Sequence, residues 1–261
     1  MKKIYRLFTL ITALLCFTLC GCSIFRYNNK DKTSKIKVTE ITELTERQKK
    51  VLESEGLPTD IDKLSYKQKA GIIHIEKAFE YLDDKYKGVE FEYCSHTPAA
   101  IMGFERTDFI PVGYDKEDNR NIVTVKKDRD GNYSDDYMLV AVRKPIENVI
   151  TKYLEEYFGK GCVKAYVGIG WTDLQYGDEI NEDTVIGRAN ASTALFVPED
   201  ICSKEQLDLF YDNCQRWIKD NKLDFHFRAI IISREDFNNT TYYNYGELYN
   251  YKHVIYEVNI K

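Results

Sequence analysis

SYKQKAGIIHIEKAFEYLDDKYKGVEFEY, residues 65–93, decides the class of fold, because the period of its apolar residues changes partway along. Ser65-Tyr66-Lys67-Gln68 is a capping box, in which a hydroxyl and a glutamine satisfy the free N–H groups at a helix start. Ile72, Ile75, Phe79, Leu82 and Tyr86 then recur at three- and four-residue spacing, which makes one apolar stripe on a helix that Gly88 ends. Directly afterwards Val89, Phe91 and Tyr93 alternate with Glu90 and Glu92, the period of a strand with one buried side. A helix followed at once by a half-buried strand is the unit of an α+β fold.

The same grammar extends in both directions. Thr45-Glu46-Arg47-Gln48 is a second capping box, opening a short helix that Gly56-Leu57-Pro58 closes. Residues 122–126 and 137–142 read as the arms of a hairpin around the turn-rich Asp128-Arg129-Asp130-Gly131-Asn132. Pro145 reads as the first turn of a helix carrying Ile146, Val149, Ile150, Tyr153, Leu154 and Tyr157. Strands are predicted at 162–169, 193–197, 225–233 and 254–260, with a long loop at 170–191. A third capping box, Ser203-Lys204-Glu205-Gln206, opens a helix that turns Leu207, Phe210, Tyr211, Cys214, Trp217 and Ile218 inward. The expectation is an α+β fold with a mainly antiparallel sheet and three or four packed helices. Residues 43–160 and 161–261 form its two parts and share one core.

The beginning of the chain follows other rules. Lys2, Lys3 and Arg6 precede an apolar run from Leu7 to Leu19, about the length of a secretory leader and short of the roughly 20 residues that span a bilayer. The run closes on Leu19-Cys20-Gly21-Cys22. This resembles the lipobox of bacterial lipoproteins, in which the cysteine sulfur takes a diacylglyceryl group and the leader is removed just before it. The resemblance implies removal of residues 1–21 and a membrane partner held through acyl chains on Cys22. It also implies a place on the extracytoplasmic face of the cell membrane. Residues 22–42, polar and poor in large apolar side chains, then form a tether whose mean reach is about 25 Å. A second resemblance lies in the body. Gly56-Leu57-Pro58-Thr59-Asp60, Tyr66-Lys67-Gln68-Lys69 and Asp135-Asp136-Tyr137 leading to Arg143 are similar to uncharacterised lipoproteins of low-GC Gram-positive bacteria, over residues 45–160. That likeness implies no activity.

Composition narrows the partners. A formal charge of -5 argues against nucleic acid, whose binding needs clustered cations. Of 7 cysteines, Cys16 and Cys20 leave with the leader and Cys22 carries lipid. Cys202 and Cys214 flank one predicted helix, about 18 Å apart along its axis, and cannot bridge each other. Cys94 and Cys162 could pair or remain buried thiols. No Cys-x-x-Cys or His cluster suggests a metal, and no motif implies a cofactor.

Catalytic signals are weak. Asp128, Asp130 and Asn132 have the opening spacing of a calcium loop, but Tyr133 and Leu139 stand where glycine and a bidentate glutamate are needed, so a turn is expected. Ser34-Lys35-Ile36-Lys37 falls in the tether, where nothing can preorganise a nucleophile. His74 and His96 have no evident partner, and His226 alternates with Asp224 and Arg228 on one side of a strand. Trp171, beside Gly168 and Gly170, offers an aromatic platform for a sugar or peptide. Tyr242, Tyr243, Tyr245, Tyr249 and Tyr251 make a tyrosine-rich recognition surface. The expected role is a non-catalytic binding protein with a cell-wall, peptide or protein partner. The alternative is a cell-envelope hydrolase using Asp173, Asp178, Glu179 or Asp183.

Overall fold

The computed structural model describes residues 42–249 and 253–260. The leader, Cys22, most of the tether and Tyr251 lie outside the described residues. Within them the α+β class stands, with eight strands divided between two four-stranded sheets. The first sheet runs β1 (Phe91–Thr97), β2 (Glu105–Pro111), β3 (Val123–Lys127) and β4 (Tyr133–Asp135), antiparallel throughout. The second runs β5 (Lys164–Thr172), β6 (Ala189–Pro198), β7 (Asp224–Ile232) and β8 (Tyr256–Ile260). Its outer pairs are antiparallel and β6 lies parallel to β7. A parallel neighbour needs a crossover, which the helix Lys204–Asp220 between β6 and β7 supplies.

All three capping boxes form. They start α1 (Glu46–Ser54), α2 (Tyr66–Lys85) and, after the single turn α3 (Ala99–Met102), α4 (Tyr137–Phe158) and α5 (Glu182–Val185), the crossover helix α6 (Lys204–Asp220). The stripe of α2 is buried as its spacing requires: Ile72, Ile75, Phe79, Leu82 and Tyr86 pack on Phe91, Phe109, Val123 and Val125 of the first sheet. Phe79 and Phe109 meet edge to face, with centroids 4.7 Å apart. A second core lies between the other sheet and helices α4 and α6, where Ile146, Ile150, Leu154, Leu207, Phe210 and Cys214 cover Ala191, Leu195, Phe225 and Phe227.

Helix α4 corrects the hairpin reading. Residues 137–142 are helical, and β3 pairs instead with the three residues of β4. Tyr137 and Val140 belong to the first core, while Val142, Ile146 and Ile150 belong to the second. A helix apolar on two sides loses its 3.6-residue signature, so its first turns look like a buried strand. Pro145 accordingly lies inside the helix rather than at its start. The turn itself is as read: Asp128 accepts from the N–H groups of Asp130 and Asn132, both at 2.9 Å, and its carboxylate is a turn acceptor.

What switches strand to helix is a pair of carboxylates. Asp136 accepts the N–H of Thr124 at 2.6 Å and Asp135 accepts that of Tyr137 at 3.0 Å. The Asp135 side chain is 1% exposed and also accepts from Tyr81 and Tyr86 hydroxyls and the Lys85 ammonium, each at 2.6 Å. Burial alone would raise this carboxyl, but the donors from Lys85, Tyr81 and Tyr86 outweigh it and hold the group below the ordinary carboxylate range.

The remaining cysteines are free, Cys94 exposed and Cys202 and Cys214 buried. Burial pushes the Cys202 thiol up to about 11 and that of Cys214 to about 12, which marks both as inert core thiols. The predicted loop at 170–191 is shorter than expected, because β5 continues to Thr172, α5 fills its middle and β6 starts at Ala189.

Asp135→Asn leaves Lys85 without its counter-charge and should lower unfolding stability at neutral pH by about 2–4 kcal/mol. Because the folded carboxyl is depressed, its contribution is complete above about 3.9 and is lost as pH falls through the folded value. Urea midpoints of wild type and variant should therefore converge in acid, and a constant gap across pH would contradict the assignment.

Candidate functional site

The strand β5 sets the site through a change of parity. Ala165, Val167 and Ile169 face the helices and pack in the second core. Strict alternation would send Trp171 to the same side. The register instead slips between Ile169 and Trp171, so that Trp171 opposes Asn190, whose neighbours Ala189 and Ala191 are fully buried on the helical side. Trp171 thus stands on the opposite, outer face, 46% exposed. Gly170 makes the bulge possible. A Cβ there would lie 2.6 Å from Asn190 Oδ1, while Asn190 Nδ2 donates to the Asp224 carbonyl at 3.0 Å and is thereby held across to β7.

Pairing places the residues of this outer face in rows. Trp171, Asn190 and Asp224 form the first, Gly168, Ser192 and His226 the second, and Tyr166, Ala194, Arg228 and Asn259 the third. Beyond them Ala194, Phe196, Ile230 and Ile232 form an apolar patch covered by Phe237 and Leu248. That cover is the segment from α7 (Arg234–Asn239) through the tyrosine-rich stretch. Tyr245 stacks on Tyr166 at 4.6 Å, and Tyr242 lies 5.7 Å from Tyr245 with the Arg120 guanidinium 4.3 Å over its ring. Lys164 pins the segment by donating to the carbonyls of Phe237 at 2.5 Å and Thr240 at 2.7 Å. Burial lowers the pKa of this ammonium.

The predicted tyrosine surface is therefore largely a structural cover. Tyr242 and Tyr245 pack inward on Tyr166, Tyr243 is 66% exposed, and Tyr249 ends the turn that begins at Tyr245. The two sequence candidates, Trp171 and the tyrosines, nevertheless meet on one face. Between them Gly168, Gly170 and Ser192 remain exposed. On the β7 side His226 Nε2 lies 3.6 Å from Asp224 Oδ1, and Arg228 grips Glu257 through two bonds of 2.8 Å. The hydrogen bond from Arg228 holds the Glu257 carboxyl below its ordinary range. Arg228 and Glu257 thus match each other's charge on this face.

The hydrolase carboxylates are arranged differently. Asp173, Asp178, Glu179 and Asp183 are all exposed. Asp173 and Asp178 do converge, but on the Arg188 guanidinium, at 2.8 and 3.2 Å. The Gln175 N–H and Arg188 hold the Asp178 carboxyl low, the wrong direction for a general acid. Glu179 accepts from Asn181. His74 and His96 do have company: His74 Nδ1 lies 2.7 Å from Glu105 Oε2, and His96 Nδ1 lies 3.0 Å from Thr107 Oγ1. Burial pushes the His96 imidazole down. Among the described residues no group of three or more His, Cys, Asp or Glu side chains is placed to hold a metal ion.

Sequence reading found Trp171 but set it in a loop, and it missed Tyr166 and Ser192. The available signal was the parity break itself: Ala165, Val167 and Ile169 alternate, then Gly170 precedes a large aromatic on the wrong beat, which is the mark of a bulge. No family model matches this chain, and neither does any curated protein or solved structure.

Two substitutions probe the frame. Gly170→Val must displace Asn190 and should cost about 1–3 kcal/mol of stability while shifting Trp171 emission. Lys164→Met removes the donor to the cover and should speed amide exchange in residues 237–248 with little change in the first core, as read by hydrogen-exchange mass spectrometry.

Proposed function

We propose that this chain is a lipid-anchored binding protein of the cell envelope, and that its ligand face is the outer surface of the second sheet between Trp171 and the Tyr166–Tyr245 stack. One observation carries the siting. The bulge at Gly170 turns a large aromatic away from a core that parity would have given it and holds it half exposed beside bare glycines. Burying Trp171 would have contributed a few kcal/mol. A fold that forgoes this and keeps the ring on the same open face as Tyr166, with only small residues between them, has the composition of a recognition surface. The envelope address rests on Leu19-Cys20-Gly21-Cys22 and the cationic, apolar leader before it. Two acyl chains on Cys22 bind a membrane durably, where a single chain is marginal.

Two measurements test the two halves of this reading. Labelled palmitate should enter the wild type and not Cys22→Ala; equal labelling would remove the anchor. For the face, the full-length protein carrying Trp217→Phe has Trp171 as its single tryptophan. Its emission in detergent should shift saturably with total envelope extract of glycan, protein and lipid. An unchanged spectrum would place the ligand elsewhere.

A further inference from the structure

Resting on that binding face, we infer that its ligand is a neutral carbohydrate, held as about two sugar rings in the slot between Trp171 and Tyr166. The length of the slot follows from the ladder. Trp171 opposes Asn190 and Tyr166 opposes Ala194. At about 3.3 Å per residue, that separates the two aromatics by about 13 Å along the strands. The floor between them is Gly168 and Ser192, so nothing larger than a hydroxymethyl group rises from it.

A sugar ring is a flat disc with C–H bonds on its faces and hydroxyls around its rim. The C–H hydrogens carry partial positive charge and lie well on the negative face of an aromatic ring. The rim needs donors and acceptors side by side. Along the slot these are the Ser192 hydroxyl, the Asp224 carboxylate and the His226 imidazole, the last two half exposed. Glycine at 168 lets a ring approach the backbone closely, a use of glycine in strands that packing alone does not require.

Charge and polarity decide against other ligand classes. An anionic ligand wants an uncommitted cation, and here Arg228 is engaged by both oxygens of Glu257 while Asp224 adds negative charge. An acyl chain wants an apolar floor, and the apolar half of this face is already covered by Phe237 and Leu248. An extended peptide would pair its backbone along β5, an edge of this sheet, whereas the polar groups Ser192, Asp224 and His226 project from the inner strands β6 and β7.

The test uses the full-length Trp217→Phe protein in detergent and a panel of chitotetraose, cellotetraose, maltotetraose and mannotetraose, read by Trp171 emission and by calorimetry. At least one oligosaccharide should bind saturably. Gly168→Val is the diagnostic variant, because a Cβ at 168 meets nothing closer than the Ser192 carbonyl oxygen at 3.8 Å. A branched residue there suits a strand and should leave Tm unchanged or raised, yet it fills the floor and should weaken the sugar about tenfold or more. Asp224→Asn, a surface change, should weaken it as well, and Leu209→Ala on the exposed side of α6 should not. If Gly168→Val lowers Tm, the Asp224→Asn result decides. Full affinity in the diagnostic variant overturns the slot. Failure of every oligosaccharide while envelope extract still shifts Trp171 overturns the carbohydrate and leaves the binding face. Failure of both removes the face too.

Discussion

A single buried carboxylate governs how this body is assembled. Asp135 ends β4, takes side-chain donors from Tyr81 and Lys85 of α2 and from Tyr86 just after it, and caps the first N–H of α4. It thus joins the helix over the first sheet to the helix that enters the second core. Without such an acceptor the hydroxyl protons of Tyr81 and Tyr86 would lose their partner, at a cost of about 1–3 kcal/mol each. The position of α4 follows, since its start is held by Asp135 at the Tyr137 N–H and by Asp136 at the Thr124 N–H of β3. Because α4 gives Tyr137 and Val140 to one core and Ile146, Ile150 and Leu154 to the other, the two cores cannot form independently of its placement.

The second sheet shows how one surface is divided between stability and exposure. Its helical side is a continuous core. Its outer side is half covered, by Phe237, Leu248 and the ring of Tyr245, and half open. Tyrosine suits the boundary because one side of the ring stacks while the hydroxyl stays in water. Burial raises the phenol pKa of Tyr166 and Tyr242. Both therefore remain neutral hydrogen-bonding groups at the border of the open half.

Legibility of the sequence varied with how local the determining physics is. Three capping boxes and the 3.6-residue stripes of α2 and α6 were readable because each is decided within a few residues. The turn at Asp128 was readable for the same reason. Residues 137–142 were not, because what makes them helical is Asp135 with partners about fifty positions away, and because packing on two sides erases the amphipathic signal. The split into two sheets was equally hidden, since strand partners are chosen by tertiary contact. Trp171 was recognisable as a residue of interest, but its orientation depends on a register slip against β6 that only pairing reveals. The inward packing of Tyr242 and Tyr245 depends on Tyr166, about eighty residues earlier in the chain.

The frame of the open face is tied back to α4 by a compact group of charges. Arg120 donates to both oxygens of Asp118 and, at 2.7 Å, to Glu147 of α4. Arg143, also of α4 and buried, donates to Asn121 and lies 3.7 Å from both carboxylates. Two cations and two anions cancel within the group, which is the condition under which partly buried charge is tolerable. The same Arg120 lies over Tyr242, which packs on Tyr245, which stacks on Tyr166. A continuous set of contacts therefore runs from α4 through Arg120 and the tyrosines to the edge of the open half of the second sheet. The tyrosine cover is restrained by this contact at Tyr242 and, close by in sequence, by Lys164 at the carbonyls of Phe237 and Thr240. Both act within residues 237–242, so the part of the cover beyond them, Tyr245 and Leu248, is held by its own packing on Tyr166, Phe196 and Ile230.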